Sequence, residues 1–250
     1  MHRPRLVLFF AGAIGLACLF VFGFTPLRHP RDIRNRYAQQ INTRTFAERN
    51  ITDAVSAVNF DYRGFDTLGE EFILFVSVLG SLLLLRMEAE RKEGILMDAA
   101  ERSRDLGASD AMGLWILAMV APKLVFGIYI VTHGQLTPGG GFQGGVILAT
   151  AALIIYCGKG FPIFRKMLSH SAIEILEALG AGGFVVIGML AFLWHRPFLT
   201  NVLPLGKAHE LTSGGTIALI SLATGLEVSA GFVLLLYAFL QETLTERGED

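Results

Sequence analysis

Six long apolar stretches are the feature that most constrains the fold of this 250-residue chain. A helix that crosses a bilayer needs ~20 mainly apolar residues, because every backbone polar group must find its partner inside the helix. Only 17% of the residues are charged, which leaves such stretches nearly free of charge. The sequence therefore predicts an all-α membrane protein with about six transmembrane helices, at residues 6–24, 68–85, 112–132, 142–158, 173–194 and 216–240.

The composition argues against several classes of function. A net charge of −1 provides no basic surface for nucleic acid. Cys18 and Cys157 fall inside apolar stretches, where we expect buried thiols rather than a disulfide or a metal site. The sequence contains no CxxC motif, histidine-rich metal spacing, nucleophile elbow or haem motif. We expect no metal, no cofactor and no catalytic site of its own, although such a chain can be a non-catalytic subunit of a redox-driven ion pump.

The first apolar stretch has two interpretations. Arg3 and Arg5 precede it, as basic residues precede the apolar part of a secretory signal peptide. The stretch is longer than the usual ~7–15 residues of such a part, and no clear A-x-A cleavage site follows it. We expect a retained helix.

Two polar segments separate the chain into parts. Residues 25–67 form a long loop with seven arginines and five acidic residues. Residues 86–111 carry charges of both signs with apolar residues at helical spacing, which is typical of an interfacial or solvated helix. We predict an N-terminal module at 1–86, with a helix, a polar loop and a second helix, then a polar connection at 87–111 and a four-helix domain at 112–250.

Lysine and arginine counts predict the orientation. With six spans, the side that holds both termini has 11 of these residues and the opposite side has 9. Seven of the nine lie in the long loop at 25–67, and long loops influence orientation less. We therefore predict a multi-pass protein of the cell (inner) membrane with both termini in the cytoplasm.

A glycine-rich loop, THGQLTPGGGFQGGV, joins the third and fourth predicted spans. Gly139, Gly141 and Gly144 match the G-x-G-x-x-G dinucleotide pattern, but that pattern indicates nucleotide binding only after a strand. Here an apolar helix precedes it, so we reject that interpretation. Two others remain: a closely packed helix hairpin, which we favour, or an unwound segment whose carbonyls contact an ion or water. The residues concerned are Pro138, Gly139, Gly140, Gly141, Gly144 and Gly145.

Two blocks resemble parts of multisubunit cation/proton antiporters. PKLVFGIYIVTHGQLTPGGGFQGGVILATA, with GLEVSAGF at 225–232, is similar to the MnhB family, a small membrane component of Mrp-type Na+/H+ antiporters. NFDYRGFDTLGEEFILFVSVLGSLLLL, at 59–85, resembles the C-terminal end of MrpA, the large component of these antiporters, which is a separate small subunit in membrane-bound hydrogenases. Gln135 stands where many MnhB members carry a histidine. The resemblance implies a fusion of two neighbouring modules, with other membrane subunits as partners.

Ionisable residues inside the predicted spans are functional candidates, because a charge near the bilayer centre costs ~2.5–3.5 kcal/mol on insertion scales. Lys123 lies near the middle of the third span and Glu227 near the middle of the sixth. The two could pair across the bundle at similar depth. Such a pair could either transfer charge or hold two helices in register, and both alternatives stay open.

Further acids and one histidine are weaker candidates. Asp66 resembles the N-cap of the second span, with Thr67 as the alternative, and acids near a helix N-terminus are favourable in any case. The resemblance, through the DTLGE motif, favours Glu70 over Glu71 as a residue on a cation route. His133, at the end of the third span, is a candidate proton relay.

Glu174 and Glu177 share one face at the start of the fifth span. We interpret both of them as complements of the helix dipole.

The sequence thus predicts a membrane subunit of an Mrp-type cation/proton antiporter, or of a related complex I-like or hydrogenase complex. It would contribute to translocation of Na+ or H+ in contact with the lipid bilayer. The alternative is a structural adaptor that holds neighbouring subunits together without an ion path of its own.

Overall fold

The computed structural model describes residues 3–24, 36–89 and 110–249. Most of the polar segment at 86–111, with its predicted interfacial helix, lies outside these residues. The described chain falls into two compact units, Met1–Gln40 and Ile41–Asp250. Helix α1, Arg3–Phe24, belongs to the first unit and covers the predicted span at 6–24.

The described part of the chain is helical and contains no strand. The helices that follow α1 are α2 Arg36–Arg49, α3 Ala54–Ala57, α4 Gly64–Ala89, α5 Asp110–Ala118, α6 Val120–Thr132, α7 Gly141–Met167, α8 His170–Met189 and α9 Thr216–Glu249. A π turn, Val58–Tyr62, precedes α4, and a 3-10 turn, Leu190–Trp194, extends α8.

The last five predicted spans are confirmed as helices of membrane-crossing length and composition. Most of their ends lie within four residues of the predicted ends, but the fourth predicted span continues to Met167 instead of ending at 158. A shorter apolar stretch, Phe10–Gly23, lies in α1. The all-α membrane class is therefore confirmed. The five long apolar segments are Gly64–Leu85, Gly113–Thr132, Gly141–Met167, His170–Trp194 and Thr216–Leu244.

Helix α9 forms the centre of the second unit and packs against α4, α7 and α8. Because three helices surround it, α9 is apolar on nearly all sides rather than along one stripe. Glycines allow the closest approaches. A Cβ atom on Gly141 would lie 2.2 Å from the Ser221 carbonyl oxygen of α9, and one on Gly145 would lie 2.8 Å from the Val228 Cβ atom.

Two apolar clusters fill the bundle at different levels. The first includes Val78, Phe164 and Leu234, and the second includes Phe60, Phe184 and Ile220, with partly buried residues around each. Along α9, the residues of the second cluster precede position 224 and those of the first follow position 229. A layer about two helical turns thick therefore separates the two clusters.

Two transmembrane segments are interrupted near a proline. Gly160, with φ of 76°, breaks α7 just before Pro162, close to the predicted end of this span. Met119 separates α5 from α6, and its amide donates to the Ile116 carbonyl at 3.1 Å. Three residues later Pro122 has no amide hydrogen to offer to the preceding turn. Both interruptions follow from local chemistry that the sequence contains.

Three segments close one end of the bundle: residues 50–62, 133–140 and 195–215. We call them the cover. The Thr52 amide donates to the Gln135 carbonyl at 3.2 Å, and the Gln135 side-chain amide donates to the Leu211 carbonyl at 2.7 Å. The Asn50 side chain donates to the Gly206 carbonyl at 3.0 Å. The glycine-rich loop is thus held on both sides by hydrogen bonds rather than exposed as a free hairpin tip.

Two local predictions are wrong. Helix α4 begins at Gly64, so Asp66 and Thr67 lie inside its first turn and neither is its N-cap. The π turn continues the helical path up to Arg63, which moves the start of α4 towards the N-terminus. Cys18 and Cys157 are exposed free thiols rather than buried ones, because an apolar residue on a membrane helix can face outwards without cost.

Candidate functional site

Three glutamates from three helices are buried in the layer between the apolar clusters and at its border with the first cluster. Glu71 of α4 is 3% exposed, Glu177 of α8 is 6% exposed and Glu227 of α9 is 1% exposed. The Glu71 carboxyl lies near the Glu227 carboxyl and the Thr224 hydroxyl, and the charge of Glu177 acts on Glu227. We call the three glutamates the carboxylate cluster.

Two glycines make room for the carboxylate cluster between α8 and α9. A Cβ atom on Gly180 would lie 2.4 Å from the backbone nitrogen of Glu227, so only glycine allows α8 to touch α9 there. A Cβ atom on Gly231 would lie 3.2 Å from Oε1 of Glu177. The missing side chain at Gly231 therefore leaves the space that the Glu177 carboxyl occupies.

Several oxygens of the cluster lack a hydrogen-bond donor within the described chain. They are Oε2 of Glu71, Oε1 of Glu177, both carboxyl oxygens of Glu227 and the hydroxyl oxygen of Thr224. Buried polar atoms are nearly always hydrogen-bonded in native proteins, since an unsatisfied one costs ~1–3 kcal/mol. These oxygens are therefore suited to a group that comes from solution.

The charged groups that act on the cluster in the described chain are all acidic. Glu70 acts on Glu71, and Glu174 acts on Glu177. Three ionised carboxylates buried between apolar side chains would repel one another strongly. Protons or a cation must therefore balance the negative charge of the cluster.

The cluster is extended along α9. Glu71 lies at the level of Thr224 and Glu227, whereas Glu177 lies at the level of Gly231. Seven residues of helix separate Thr224 from Gly231, which corresponds to ~10 Å along the helix axis. The three carboxyls thus form a row through the middle of the bundle.

Lys123 and Glu227, for which the sequence allows a pair, are not brought together. Lys123 is partly buried on α6, and within the described residues it has no ion-pair partner. The carboxyls near Glu227 are those of Glu71 and Glu177. The described residues therefore show no salt bridge between Lys123 of α6 and Glu227 of α9, and the role of Lys123 stays a prediction.

The DTLGE motif is placed differently from the expectation. Glu70 is exposed on α4, and the neighbouring Glu71 is the buried acid. Asp66 forms an ion pair with Arg63 at the start of α4, and its side chain is 49% exposed. Neither Glu70 nor Asp66 reaches the carboxylate cluster directly.

His133 lies at the end of α6, on the side of the cover. Its ring stacks on Tyr129 at 4.0 Å, and its Nδ1 atom is 3.0 Å from the Tyr129 carbonyl oxygen. The loop that follows contains Gly140, whose φ of 135° favours glycine. A Cβ atom on Gly144 would lie 2.4 Å from Cγ2 of Val131, which agrees with the close packing expected for this loop.

The cover carries its own polar network. Arg49 donates from Nε to Asp61 at 2.5 Å, and the side-chain amide of Asn201 donates to the same carboxylate at 3.0 Å. Burial lowers the pKa of Arg49, but the hydrogen bond and the charge of Asp61, together with smaller effects of Tyr62 and Glu48, raise it above the ordinary value. Burial and a hydrogen bond to Glu48 raise the pKa of the Tyr62 phenol. This network joins residues 49–62 to the loop before α9.

The chemistry open to the cluster is ion or proton exchange. Its donors are carboxyl and hydroxyl oxygens, which carry protons or bind hard cations. In the described residues, no group of three or more His, Cys, Asp or Glu side chains is arranged to hold a metal ion.

Sequence reasoning underestimates two of the three glutamates. The DTLGE motif favours Glu70 over Glu71, and the position of Glu177 near a helix start suggests only a dipole complement. One sequence signal points to Glu177: it lies three residues before Gly180, on the helix face that also carries Glu174. Only the packing of α4 against α9 distinguishes Glu71 from Glu70.

Comparison with known proteins agrees with this architecture. The family described as a domain related to the MnhB subunit of Na+/H+ antiporters matches residues 113–234. The chain is 33% identical over 202 residues to an uncharacterized protein of Methanocaldococcus jannaschii, covering 72% of this chain and 74% of the relative. It is 25% identical to a probable K(+)/H(+) antiporter protein of Rhizobium meliloti, covering 80% of this chain but only 21% of that protein.

Two solved structures are similar over nearly the whole chain. One belongs to the membrane-bound sulfane sulfur reductase, an archaeal respiratory membrane complex, with 26% identity and a TM-score of 0.67 over 96% of this chain and 99% of that chain. The other belongs to the Mrp complex of Dietzia sp. DQ12-45-1b, with 22% identity and a TM-score of 0.69 over 94% of this chain and 26% of that chain. The second likeness shows the fold alone. The chain belongs to the MnhB family and is a multi-pass membrane subunit of a cation/proton antiporter-like complex.

Proposed function

We propose that this subunit moves protons across part of the membrane thickness through Glu71, Glu227 and Glu177. The observation that carries the proposal is the row of three buried carboxyls, four of whose oxygens lack hydrogen-bond donors in the described chain. A proton on one carboxyl can be donated to the next, so that each transfer satisfies one oxygen and frees another.

A shared proton suits the Glu71–Glu227 contact better than a fixed ion pair. Two carboxylates accept hydrogen bonds and cannot donate, so their close approach is favourable only when one of them holds a proton. Thr224 adds a hydroxyl beside Glu71, which can donate to one carboxyl and accept from another. A similar exchange then connects Glu227 with Glu177.

The relatives support a role within a larger assembly. Several relatives are described as cation/proton antiporter subunits, and one similar structure belongs to an archaeal respiratory membrane complex. We propose that neighbouring membrane subunits drive the proton transfer, and that Na+ or another cation passes elsewhere in the complex. The predicted orientation, with both termini in the cytoplasm, would place the cover on the outer side.

The residues that the sequence suggested have other positions in this scheme. Glu70 and Asp66, which are exposed on α4, are candidates for contact with a neighbouring subunit or for proton entry from it. Lys123 is a candidate cation at a contact with another subunit in the middle of the bilayer. His133, at the edge of the cover, is a candidate for exchange with water on that side.

The test uses single substitutions in the assembled complex. Glu227→Gln and Glu71→Gln keep the side-chain shape but cannot pass a proton. We expect intact assembly on native gels and at least a roughly 10²-fold loss of cation-dependent proton transport in inverted membrane vesicles. Glu210→Gln, an exposed acid in the cover, is the matched control and should transport normally. Normal transport by Glu227→Gln would refute the proposal.

A structural adaptor is the second candidate function. Gly180 packs directly against Glu227, and Gly231 packs against Glu177. Under this alternative, the two glutamates hold α8 against α9 and transfer no proton. Under this alternative, Glu227→Gln would lower the amount of assembled complex, and transport per assembled complex would stay normal. Glu70→Gln can be compared with Glu71→Gln within one motif. Loss of transport in Glu70→Gln but not in Glu71→Gln would favour the cation route through Glu70 that the sequence suggests.

A further inference from the structure

We propose that His170 and Glu174 connect the carboxylate cluster to the membrane surface at the start of α8. This face of α8 would be the opening of the proton route at the end of the bundle opposite the cover. The inference rests on the proposed function, since it needs Glu177 to exchange protons.

The three residues lie on one face of α8. His170, Glu174 and Glu177 are spaced by four and three residues, the spacing that brings side chains one above the other on a helix. Nδ1 of His170 is 3.4 Å from Oε1 of Glu174. Glu174 acts in turn on Glu177 from the next turn of the helix. Each neighbouring pair is therefore within one turn.

The two outer residues of this face are far more exposed than Glu177. Glu177 is 6% exposed, whereas the side chains of Glu174 and His170 are 45% and 33% exposed. His170 is the first residue of α8, ~10 Å along the axis from Glu177. The buried end of the row thus leads to a helix end that lies at the level of the polar interface.

Tyr237 of α9 fixes the imidazole at this opening. The two rings are 5.0 Å apart in an edge-to-face arrangement, and Tyr237 is itself 4% exposed. Phe161 and Phe164 pack against Tyr237 from the α7 side. An imidazole beside a carboxylate and held by a buried aromatic ring is suited to accept a proton on one ring nitrogen and release one from the ring.

The other end of the row is closed by apolar side chains. Leu68, Phe184 and Ile220 lie on α4, α8 and α9 between the carboxylate cluster and the cover. Phe60 of the cover packs into the same cluster. Within the described chain, a proton on the carboxylate cluster therefore has a polar path towards His170 and an apolar barrier towards the cover.

The transfer conserves atoms and charge. The Glu177 carboxyl gives its proton to the Glu174 carboxylate, and Glu174 gives a proton to a ring nitrogen of His170. The imidazolium then releases a proton to water at the membrane surface. Transfer in the reverse direction uses the same groups, so the driving force from the whole complex determines the direction.

The experiment compares His170→Ala and Glu174→Gln with Glu227→Gln in the assembled complex. Ser171→Ala, an exposed position on the same turn but off this face, is the matched control. We expect normal assembly for all four variants. Proton transport should fall by roughly 10²-fold or more in His170→Ala and Glu174→Gln, the lower end of what positioned proton carriers contribute. Millimolar imidazole should restore much of the transport of His170→Ala but none of that of Glu227→Gln.

A second measurement does not depend on turnover. In hydrogen–deuterium exchange followed by infrared spectroscopy, the carboxyl band assigned by its loss in Glu227→Gln should exchange more slowly in His170→Ala than in Ser171→Ala. Normal transport and normal exchange in both His170→Ala and Glu174→Gln, with transport lost in Glu227→Gln, would overturn this inference and leave the proposed function standing. Loss of transport in His170→Ala without rescue by imidazole and with normal exchange would also overturn it. Normal transport in Glu227→Gln would refute both.

Discussion

Gly180 shows at a single residue how packing and chemistry depend on each other here. It brings α8 into contact with the backbone of Glu227, the most buried member of the carboxylate cluster. Gly182, two residues further along the same helix, has no neighbouring atom within 4 Å of where a Cβ atom would stand. The two glycines are alike in the sequence, but only one of them is required by a contact.

This difference predicts opposite effects of the same substitution. Gly180→Ala would place a methyl group 2.4 Å from a backbone nitrogen of α9, and it should destabilise the protein by ~1–3 kcal/mol because α8 must move away. Gly182→Ala should be neutral or stabilising by up to ~1 kcal/mol, because alanine favours the helix. Thermal unfolding of the purified complex in detergent measures both. Equal melting temperatures for the two variants would contradict the packing described for Gly180.

At the scale of the element, the α5–α6 segment is unusual because a break and a charge coincide at its centre. Lys123 lies about ten residues from either end of Gly113–Thr132, a distance of ~15 Å. Its stem is too short to reach the polar interface comfortably at this depth. The neighbouring residues Pro122 and Leu124 are exposed on the surface of this chain. The segment therefore presents a cation where another subunit can supply the carboxylate.

Lys123→Ala tests that interpretation. We expect the chain to fold and insert normally, because removal of a charge at mid-depth eliminates an insertion cost of ~2.5–3.5 kcal/mol. Association with neighbouring subunits should weaken, which native gels would show as a smaller fraction of assembled complex. Leu124→Ala, at an exposed apolar position next to it, should assemble fully. Intact assembly with lost transport would place Lys123 on the transport path. Normal assembly together with normal transport would remove Lys123 from the mechanism.

At the scale of the whole molecule, the row of carboxyls divides the second unit into unequal halves. Towards the cover lie an apolar cluster and a hydrogen-bonded set of loops, and towards the start of α8 lie Glu174 and His170. A proton route that is open at one end only would need a neighbouring subunit to complete it. This asymmetry fits one member of an assembly better than a complete transporter.

The direction of this asymmetry in the membrane can be measured by labelling. In a background without Cys18 and Cys157, Glu210→Cys places a thiol in the cover and Lys166→Cys places one at the opposite end. With both termini in the cytoplasm, a membrane-impermeant maleimide should label Glu210→Cys in intact cells and Lys166→Cys only after permeabilisation. The reverse pattern would invert the predicted orientation, and the opening at His170 would then face outwards.

The all-α membrane class and the positions of its long helices followed from the sequence alone. Runs of apolar residues with few charges have no other stable arrangement, since the bilayer forces each segment to satisfy its own backbone. The motifs around PGGGFQGG and DTLGE identified the family because they are local and depend only on residues adjacent in the chain. The break at Gly160, next to Pro162, is likewise encoded locally.

The identity of the candidate site was decided only by the tertiary structure. Glu70 and Glu71 are neighbours in the sequence, and which of them faces α9 depends on the rotation of α4 within the bundle. Lys123 and Glu227 are predicted at similar depths, yet the carboxyls that act on Glu227 come from α4 and α8, and none of the described ion pairs includes Lys123. Sequence determines depth and periodicity along one helix, whereas the contact between two helices depends on how their surfaces fit. The glycines at 180 and 231 supplied that fit, and with it the row of carboxyls.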